Sequence, residues 1–271
     1  MSVTNKLLIG AGGVSAFSTV TVKLHSNLVD LVYNSKYPVT KPIAPVSIII
    51  PAYNEEEVIE RTLRSILTQN IILQYKDFFE CIVVDNESTD RTSEIASQFC
   101  QVTSAPRGKL NARQVGIDKA VGEIIVACDA DCYYPPNYLN LLLRHFYESG
   151  VVAVQGVSLD EGNPLQKAMN VWISTLSHSI GKRLHGASSA FLKSSYLKTG
   201  GFDLSINQFD IEEIMAEEEV ALYLKMKALG KVFFDLQACC FHLSKGLHGS
   251  IAKDLVLTDK RALEIRRGER F

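Results

Sequence analysis

Ile124-Ile125-Val126-Ala127-Cys128-Asp129-Ala130-Asp131 is the stretch of sequence that decides the fold. Its five apolar residues are typical of a buried strand, and two carboxylates follow at the C-terminal end of that strand. Burying two negative charges one residue apart is costly unless a positive group lies beside them. A divalent cation that carries a phosphorylated substrate is the obvious candidate for that group.

Upstream of this stretch, strand and helix signals alternate. Val46–Ile50 and Cys81–Val84 are continuous apolar runs, and Asp85 ends the second run. A helix is predicted from about Lys109 to Ala120, which leads into the third strand. This alternation predicts an α/β fold with a mostly parallel central sheet flanked by helices. The acidic strand ends should then meet at the carboxyl edge of the sheet, where ligands bind in such folds.

A helix is also predicted after the first strand. Asn54 and Glu57 have the spacing of a capping box, which predicts that this helix opens there. Its apolar residues recur at helical spacing and should face the core. They are Val58, Ile59, Leu63, Ile66 and Leu67.

Composition excludes several function classes. The 271 residues are 46% hydrophobic and 21% charged, and 28 basic against 30 acidic side chains leave a net charge of −2. The overall composition and charge therefore indicate neither nucleic-acid binding nor strong electrostatic attraction to a membrane.

The six cysteines contain no C-x-x-C pair, which favours a reducing, cytoplasmic setting. A zinc site could in principle form, but the spacing of its candidates matches no standard structural finger. Those candidates are Cys128, Cys132, Cys239, Cys240 and His242.

The chain divides into three predicted parts. Residues 1–44 form an N-terminal helical and linker segment, in which Leu7–Val22 is weakly apolar but contains three glycines. That run is shorter than the roughly 20 residues of a membrane span, which favours a packing or membrane-surface helix over a true anchor. Residues 45–245 form the catalytic domain, and residues 246–271 form a basic helical tail.

Four motifs in order resemble the nucleotide-sugar half of a family 2 glycosyltransferase. They are Pro51-Ala52-Tyr53-Asn54-Glu55, Val83-Val84-Asp85, Lys109-x-x-Ala112-Arg113 and Asp129-Ala130-Asp131. The similarity continues through Gly186, Gly200-Gly201-Phe202-Asp203 and Glu218-Glu219. The resemblance implies a glycosyltransferase A type fold with three layers, α/β/α.

The same resemblance implies a role for each motif. It places Lys109 and Arg113 on the diphosphate, and Asp129 near the ribose. It also makes Asp131, Asp129 and His242 the ligands of a Mn²⁺ or Mg²⁺ ion. The nucleoside pocket that it implies consists of Pro51, Tyr53, Glu55 and Asp85.

The catalytic base is expected in the acidic cluster. Where the family has Glu-Asp-x-x-Leu, this chain has Glu218-Glu219-x-x-Leu222, so Glu219 stands in the position of the usual aspartate. The longer side chain leaves Glu218 as the alternative base. Trp172, the only tryptophan, could stack on a sugar, although core packing is an equal alternative.

The chain lacks the Gln-x-x-Arg-Trp motif of processive synthases, which predicts transfer of one sugar per encounter. The expected activity is metal-dependent, inverting transfer of a hexose, with a UDP-sugar as donor and a glycan, a lipid-linked molecule or a protein as acceptor. Lys260–Arg267 could touch an anionic membrane surface, which makes peripheral membrane contact an open possibility. Two alternatives stay open: a nucleotidyltransferase acting on sugar phosphates, and a non-catalytic nucleotide-sugar binding module.

Overall fold

The computed structural model describes residues 38–160, 183–204 and 212–243. Three of the predicted features lie outside these residues. They are the N-terminal segment up to residue 37, Trp172, and the basic tail with Lys260–Arg267.

Within the described residues, eight strands form one sheet. They are β1 (Val46–Ala52), β2 (Phe79–Asp85), β3 (Gln101–Ser104), β4 (Ile124–Cys128), β5 (Cys132–Tyr133), β6 (Val151–Asp160), β7 (Ser188–Leu192) and β8 (Lys231–His242). Their order across the sheet is β3-β2-β1-β4-β7-β6-β8-β5. Six strands run in the same direction, whereas β7 and β5 run against their neighbours. The predicted, mostly parallel α/β sheet is confirmed.

Helices cover both faces of the sheet. They are α1 (Ile59–Leu67), α2 (Asn70–Gln74), α3 (Thr92–Ala96), α4 (Lys109–Lys119), α5 (Tyr138–Leu143), α6 (Lys193–Lys198) and α7 (Glu212–Leu229), with short 3₁₀ turns at Lys76–Phe78 and Arg144–Tyr147. Ile48 and Ile50 of β1 join the core under α1, α2, α3 and α5, while Ile49 joins the core under α4, α6 and α7. Side chains alternate between the faces of a strand, so one strand supplies both cores. The three-layer arrangement is confirmed.

The start of α1 differs from the predicted capping box. α1 begins at Ile59, and no side chain caps it. Asn54 has a φ of 52°, and its side-chain oxygen accepts a hydrogen bond from the Thr89 N–H at 2.8 Å. Asparagine tolerates this left-handed conformation better than most residues. Asn54 therefore joins the two loops that follow β1 and β2. The predicted inner face of the helix, by contrast, is buried as expected.

Strand register brings the candidate residues to one edge. Ala52 at the end of β1 pairs with Asp85 at the end of β2, and Ile49 pairs with Ala127 near the end of β4. The antiparallel strand β7 starts at the same edge, since Cys128 pairs with Ser188. No helix in the described part of the chain combines the length and the apolar character that crossing a bilayer requires.

Candidate active site

Asp129 is a buried carboxylate held by two cations. It follows β4 and is only 5% exposed. Lys109 Nζ lies 2.9 Å from its Oδ1, and Arg113 Nη2 lies 3.4 Å from the same oxygen. Burial raises the pKa of Asp129, but the charges of Lys109 and Arg113 outweigh burial and leave this pKa well below its ordinary value. Asp129 is therefore ionised throughout the physiological range.

The backbone at Asp129 is fixed as well. Its N–H donates to the hydroxyl of the buried Tyr134 at 2.9 Å, and that hydroxyl donates to the carbonyl of Ala187 at 2.9 Å. A tyrosine hydroxyl that both accepts and donates satisfies two buried backbone groups at once. This contact ties the end of β4 to the residue that precedes β7.

Arg113 connects two carboxylates that are far apart in the sequence. Its side chain projects from α4, is 4% exposed, and places Nη1 3.3 Å from Oε1 of Glu219. The same Glu219 oxygen accepts a hydrogen bond from the Gly186 N–H at 2.8 Å. Arg113 is thus a buried bridge between Asp129 and Glu219, unlike a solvated charge on a helix surface.

The two glutamates of the acidic cluster have different partners. Glu219 faces Arg113, and Arg183 Nε lies 4.0 Å from its second oxygen. Glu218 accepts a hydrogen bond from the Asp203 N–H at 3.1 Å, in the loop that contains Gly200 and Gly201. Glu219 therefore lies in the group of charged residues around Asp129, whereas Glu218 anchors a neighbouring loop.

Asp131 lies in a second cluster, beside His242. His242 Nδ1 is 3.6 Å from Asp131 Oδ1, and Cys132 Sγ is 3.3 Å from the same nitrogen. Burial lowers the pKa of His242, but the hydrogen bond and charge of Asp131 outweigh it and raise this pKa to about 9. A carboxylate and an imidazole at this separation fit a divalent cation, because both are common ligands of such ions.

The residues of the predicted nucleoside pocket line the strand ends and the loops after them. Pro51 lies within β1, opposite Val84. The half-exposed ring of Tyr53 is covered by the guanidinium of Arg107, 3.1 Å from the ring centroid. The Glu55 N–H donates to Thr92 Oγ1 at 2.7 Å, which fixes the loop after β1.

Asp85, also predicted for this pocket, ends β2. Its Oδ1 accepts a long hydrogen bond from the Ser88 N–H at 3.4 Å. A carboxylate at the end of the strand is thus held by its own loop, on the same edge as Asp129.

Sequence reasoning missed several residues of this region. Burial lowers the pKa of His185 to about 4 in spite of the charges of Glu219 and Asp129, which raise it. Arg107 and Arg183 also contact predicted site residues. Cys132, which the sequence offered only as a candidate zinc ligand, contacts His242. For the missed residues the available signal was position, since Arg107 stands shortly before Lys109 and His185 just before Gly186.

Comparisons with known proteins agree with this geometry. The chain is 33% identical over 129 residues to glycosyltransferase AglE of Haloferax volcanii, a match that covers 45% of this chain and 39% of that protein. It is 28% identical over 154 residues to an undecaprenyl-phosphate 4-deoxy-4-formamido-L-arabinose transferase of Pseudomonas fluorescens, which covers 54% of this chain and 44% of that protein. The chain thus spans less than half the length of these curated relatives.

A solved structure shares the fold. The mannosyltransferase PcManGT of Pyrobaculum calidifontis, in complex with GDP-Man and Mn²⁺, has a TM-score of 0.57 and 22% sequence identity, over 94% of this chain and 77% of that chain. The family model for glycosyl transferase family 2 matches residues 47–195, more than half of the chain. With its motifs at the carboxyl edge of a glycosyltransferase A type sheet, the chain belongs to glycosyl transferase family 2.

Proposed function

We propose that the protein is a metal-dependent, inverting glycosyltransferase that moves one hexose from a nucleotide-diphospho-sugar to a hydroxyl acceptor. The observation that carries this proposal is the arrangement at the carboxyl edge of the sheet. There Asp129 with Lys109 and Arg113 stands beside Asp131 with His242. An anionic diphosphate needs cationic side chains and a cation site close together, and this edge offers both.

We propose that Lys109 contacts the diphosphate directly, whereas Arg113 serves the diphosphate site by positioning Asp129. Lys109 is one third exposed and can extend from Asp129 toward a ligand, whereas Arg113 is fixed between two carboxylates. The flexible lysine suits a point contact with a phosphate, and the rigid guanidinium holds Asp129 in place. We propose that Asp129 binds the ribose, because its carboxylate is ionised and immobile.

Asp131 and His242 would hold the metal ion, which we propose to be Mn²⁺ or Mg²⁺. When bound, such an ion neutralises the charge that develops on the departing nucleotide diphosphate. Asp129 is the less suitable ligand, since Lys109 and Arg113 occupy its Oδ1. Asp131 is partly exposed and so can exchange its present contacts for a ligand.

Glu219 is the proposed base. In a single displacement, its carboxylate removes the proton of the acceptor hydroxyl while that oxygen bonds to the anomeric carbon and the diphosphate leaves from the opposite face. The Gly186 N–H and Arg113 hold one Glu219 oxygen. The other Glu219 oxygen lies 4.0 Å from Arg183 Nε. We propose that this second oxygen takes the proton.

For the donor we propose a UDP-hexose, and for the acceptor a glycan, a lipid-linked molecule or a protein. One relative's name includes undecaprenyl phosphate, and one structural neighbour holds GDP-Man. A polyprenyl phosphate is therefore included among the candidate acceptors, and a GDP-sugar among the candidate donors. We propose a cytoplasmic setting, with peripheral membrane contact if the acceptor is lipid-linked. All six cysteines are free thiols, which supports a reducing compartment.

A donor screen tests the proposal. Release of UDP or GDP is measured with a panel of nucleotide sugars and acceptors, with Mn²⁺ and with chelator, and NMR of the product reports the anomeric configuration. We expect metal-dependent UDP release and an inverted product, both lost in Asp131→Ala and retained in Asp77→Ala, an exposed control. Binding of UDP without turnover on any acceptor would instead identify a non-catalytic module. Pyrophosphate release from a nucleoside triphosphate and a sugar phosphate would identify a nucleotidyltransferase.

A further inference from the structure

The cluster beside Asp131 contains a third potential ligand, the thiol of Cys132. Cys132 in β5 and His242 in β8 are directly opposite each other in an antiparallel pair. Side chains at such positions lie on the same face with Cβ atoms about 4.5–5.5 Å apart. The Leu243 N–H donates to the Asp131 carbonyl at 2.6 Å, which fixes the junction between the two strands. The ladder therefore holds the three side chains together without any ion.

The distances among the three ligand atoms match one coordination sphere. Sγ of Cys132 lies 3.3 Å from Nδ1 of His242 and 3.8 Å from Oδ1 of Asp131, and the nitrogen lies 3.6 Å from that oxygen. Tetrahedral zinc with ordinary bond lengths to sulfur, nitrogen and oxygen separates such ligand atoms by about 3.3–3.6 Å. Only small adjustments are needed for all three atoms to contact a single ion.

The thiol changes which ion such a site prefers. Carboxylate, carbonyl and water oxygens suit Mg²⁺ and Mn²⁺, whereas a thiolate with an imidazole favours Zn²⁺ and other thiophilic ions. We propose that Cys132 is the third protein ligand of the cation at this site, and that the protein without donor binds Zn²⁺ more tightly there than Mn²⁺ or Mg²⁺, while Mn²⁺ or Mg²⁺ stays the proposed ion of the transfer reaction. The proposal rests on the proposed function only in placing the cation beside the diphosphate.

Access to the site is from the solvent side. Cys132 is fully buried, while the side chains of Asp131 and His242, which contact its sulfur, are 36% and 29% exposed. An ion that reaches these two side chains also reaches the sulfur, and the thiol proton leaves to solvent as the bond to the metal forms. Three protein ligands leave a fourth position for a non-protein ligand, as in catalytic zinc sites.

Metal titration of the tag-free protein, without any sugar nucleotide, tests the proposal. Co²⁺ serves as the optical probe, because coordination by thiolate produces a charge-transfer band in the near ultraviolet. We expect this band in the wild type and its displacement by Zn²⁺. Cys132→Ser should abolish the band and weaken Zn²⁺ binding roughly tenfold or more, while the affinity for Mn²⁺, followed by electron paramagnetic resonance, changes less than about threefold.

Cys81→Ser is the matched control. Cys81 is also buried, but it lies in β2, far across the sheet from β5, so the band should persist in this variant. If Cys132→Ser fails to fold, X-ray absorption at the zinc edge of the wild type decides the question. One sulfur at about 2.3 Å is expected. Absence of sulfur from the zinc sphere, or a band that persists in folded Cys132→Ser, would overturn the proposal.

The outcome separates this proposal from the proposed function. Sugar transfer with Mn²⁺ but no thiolate band would leave the transferase standing and remove Cys132 from the metal site. A thiolate band without transfer from any donor would support the Cys132 site and refute the transferase.

Discussion

The guanidinium of Arg113 lies directly against the backbone of Gly186, so that a Cβ on this glycine would stand 1.4 Å from Nη2 of Arg113. Position 186 therefore has no room for any side chain while Arg113 bridges Asp129 and Glu219. We predict that Gly186→Ala displaces Arg113 and lowers kcat/KM about 10²-fold, because small displacements of positioning groups have effects of this size. Steady-state kinetics of donor turnover measures the change.

A double-mutant cycle shows whether the clash is the cause. In an Arg113→Ala background the added methyl group meets empty space, so Gly186→Ala should have little further effect. If the two substitutions reduce kcat/KM additively, the contact between Gly186 and Arg113 does not explain the loss.

Arg113 and Lys109 should differ in their importance for stability. Arg113→Met leaves two buried carboxylates without their bridge, and we predict a loss of about 3 kcal/mol in the free energy of unfolding. Lys109→Met removes a partly exposed partner while Arg113 still holds Asp129, so a loss of about 1 kcal/mol or less is expected. Urea unfolding measures both. Lys119→Met, an exposed change on the same helix, should stay within about 0.5 kcal/mol of wild type. Equal losses for Lys109→Met and Arg113→Met would contradict the assigned bridge.

Substitutions of Glu219 and Glu218 should have different effects on kcat. Glu219→Gln keeps an acceptor for the Gly186 N–H but cannot take a proton, so kcat should fall about 10²- to 10⁴-fold while UDP affinity changes little. Glu218→Gln can still accept from the Asp203 N–H, and its kcat should stay within about threefold of wild type. Stopped assays for kcat and calorimetry for UDP binding measure the two quantities. Wild-type turnover by Glu219→Gln would show that this residue is not the base.

Asp235, a buried acid remote from the site, makes the free energy of unfolding depend on pH. Asp235 lies 2.9 Å from Arg144 Nη2 and 2.7 Å from His145 Nε2. Burial raises the pKa of Asp235, but the hydrogen bonds from His145 and the Gln237 N–H, with the charge of Arg144, outweigh it and lower this pKa. The stabilisation is therefore present above the unfolded pKa of about 3.9 and is lost as pH falls toward the folded value.

Asp235→Asn should consequently lower the free energy of unfolding by about 2 kcal/mol at neutral pH. The difference in unfolding free energy between wild type and variant should become smaller as the pH falls from about 5 to 3. Chemical unfolding at a series of pH values measures the difference. Asp77→Asn, an exposed change, should show no such trend. A difference between wild type and Asp235→Asn that stays constant down to pH 3 would mean that Asp235 titrates normally.

Features encoded by local sequence could be predicted well. The strands β1, β2 and β4 lie where the apolar runs predicted them, and α4 begins at Lys109 as predicted. Asp85 and Asp129 meet at one edge because parallel strands end on the same side, a rule that needs no knowledge of distant contacts. The short strand β3 escaped prediction, since Gln101–Ser104 is half-buried and contains no continuous apolar run.

Contacts between distant parts of the chain could not be predicted in this way. Arg113 and Glu219 are 106 residues apart, and Cys132 and His242 are 110 residues apart. The first contact depends on how two helices, α4 and α7, pack on the sheet. The second depends on strand order and register, because a shift of one residue would turn His242 to the other face of the sheet. The capping prediction for Asn54 failed for the same reason, since the partner of its side chain is in the loop after β2 and not in the helix that follows it.

The reversed direction of β7 places the loop before this strand at the carboxyl edge of the sheet. The parallel strands β1, β2 and β4 end at this edge, whereas β7 begins there, since Ser188 pairs with Cys128. In the loop that leads into β7, the Gly186 N–H donates a hydrogen bond to the Glu219 carboxylate. The antiparallel strand thus brings a backbone donor to this edge, and that donor shares the Glu219 carboxylate with the guanidinium of Arg113.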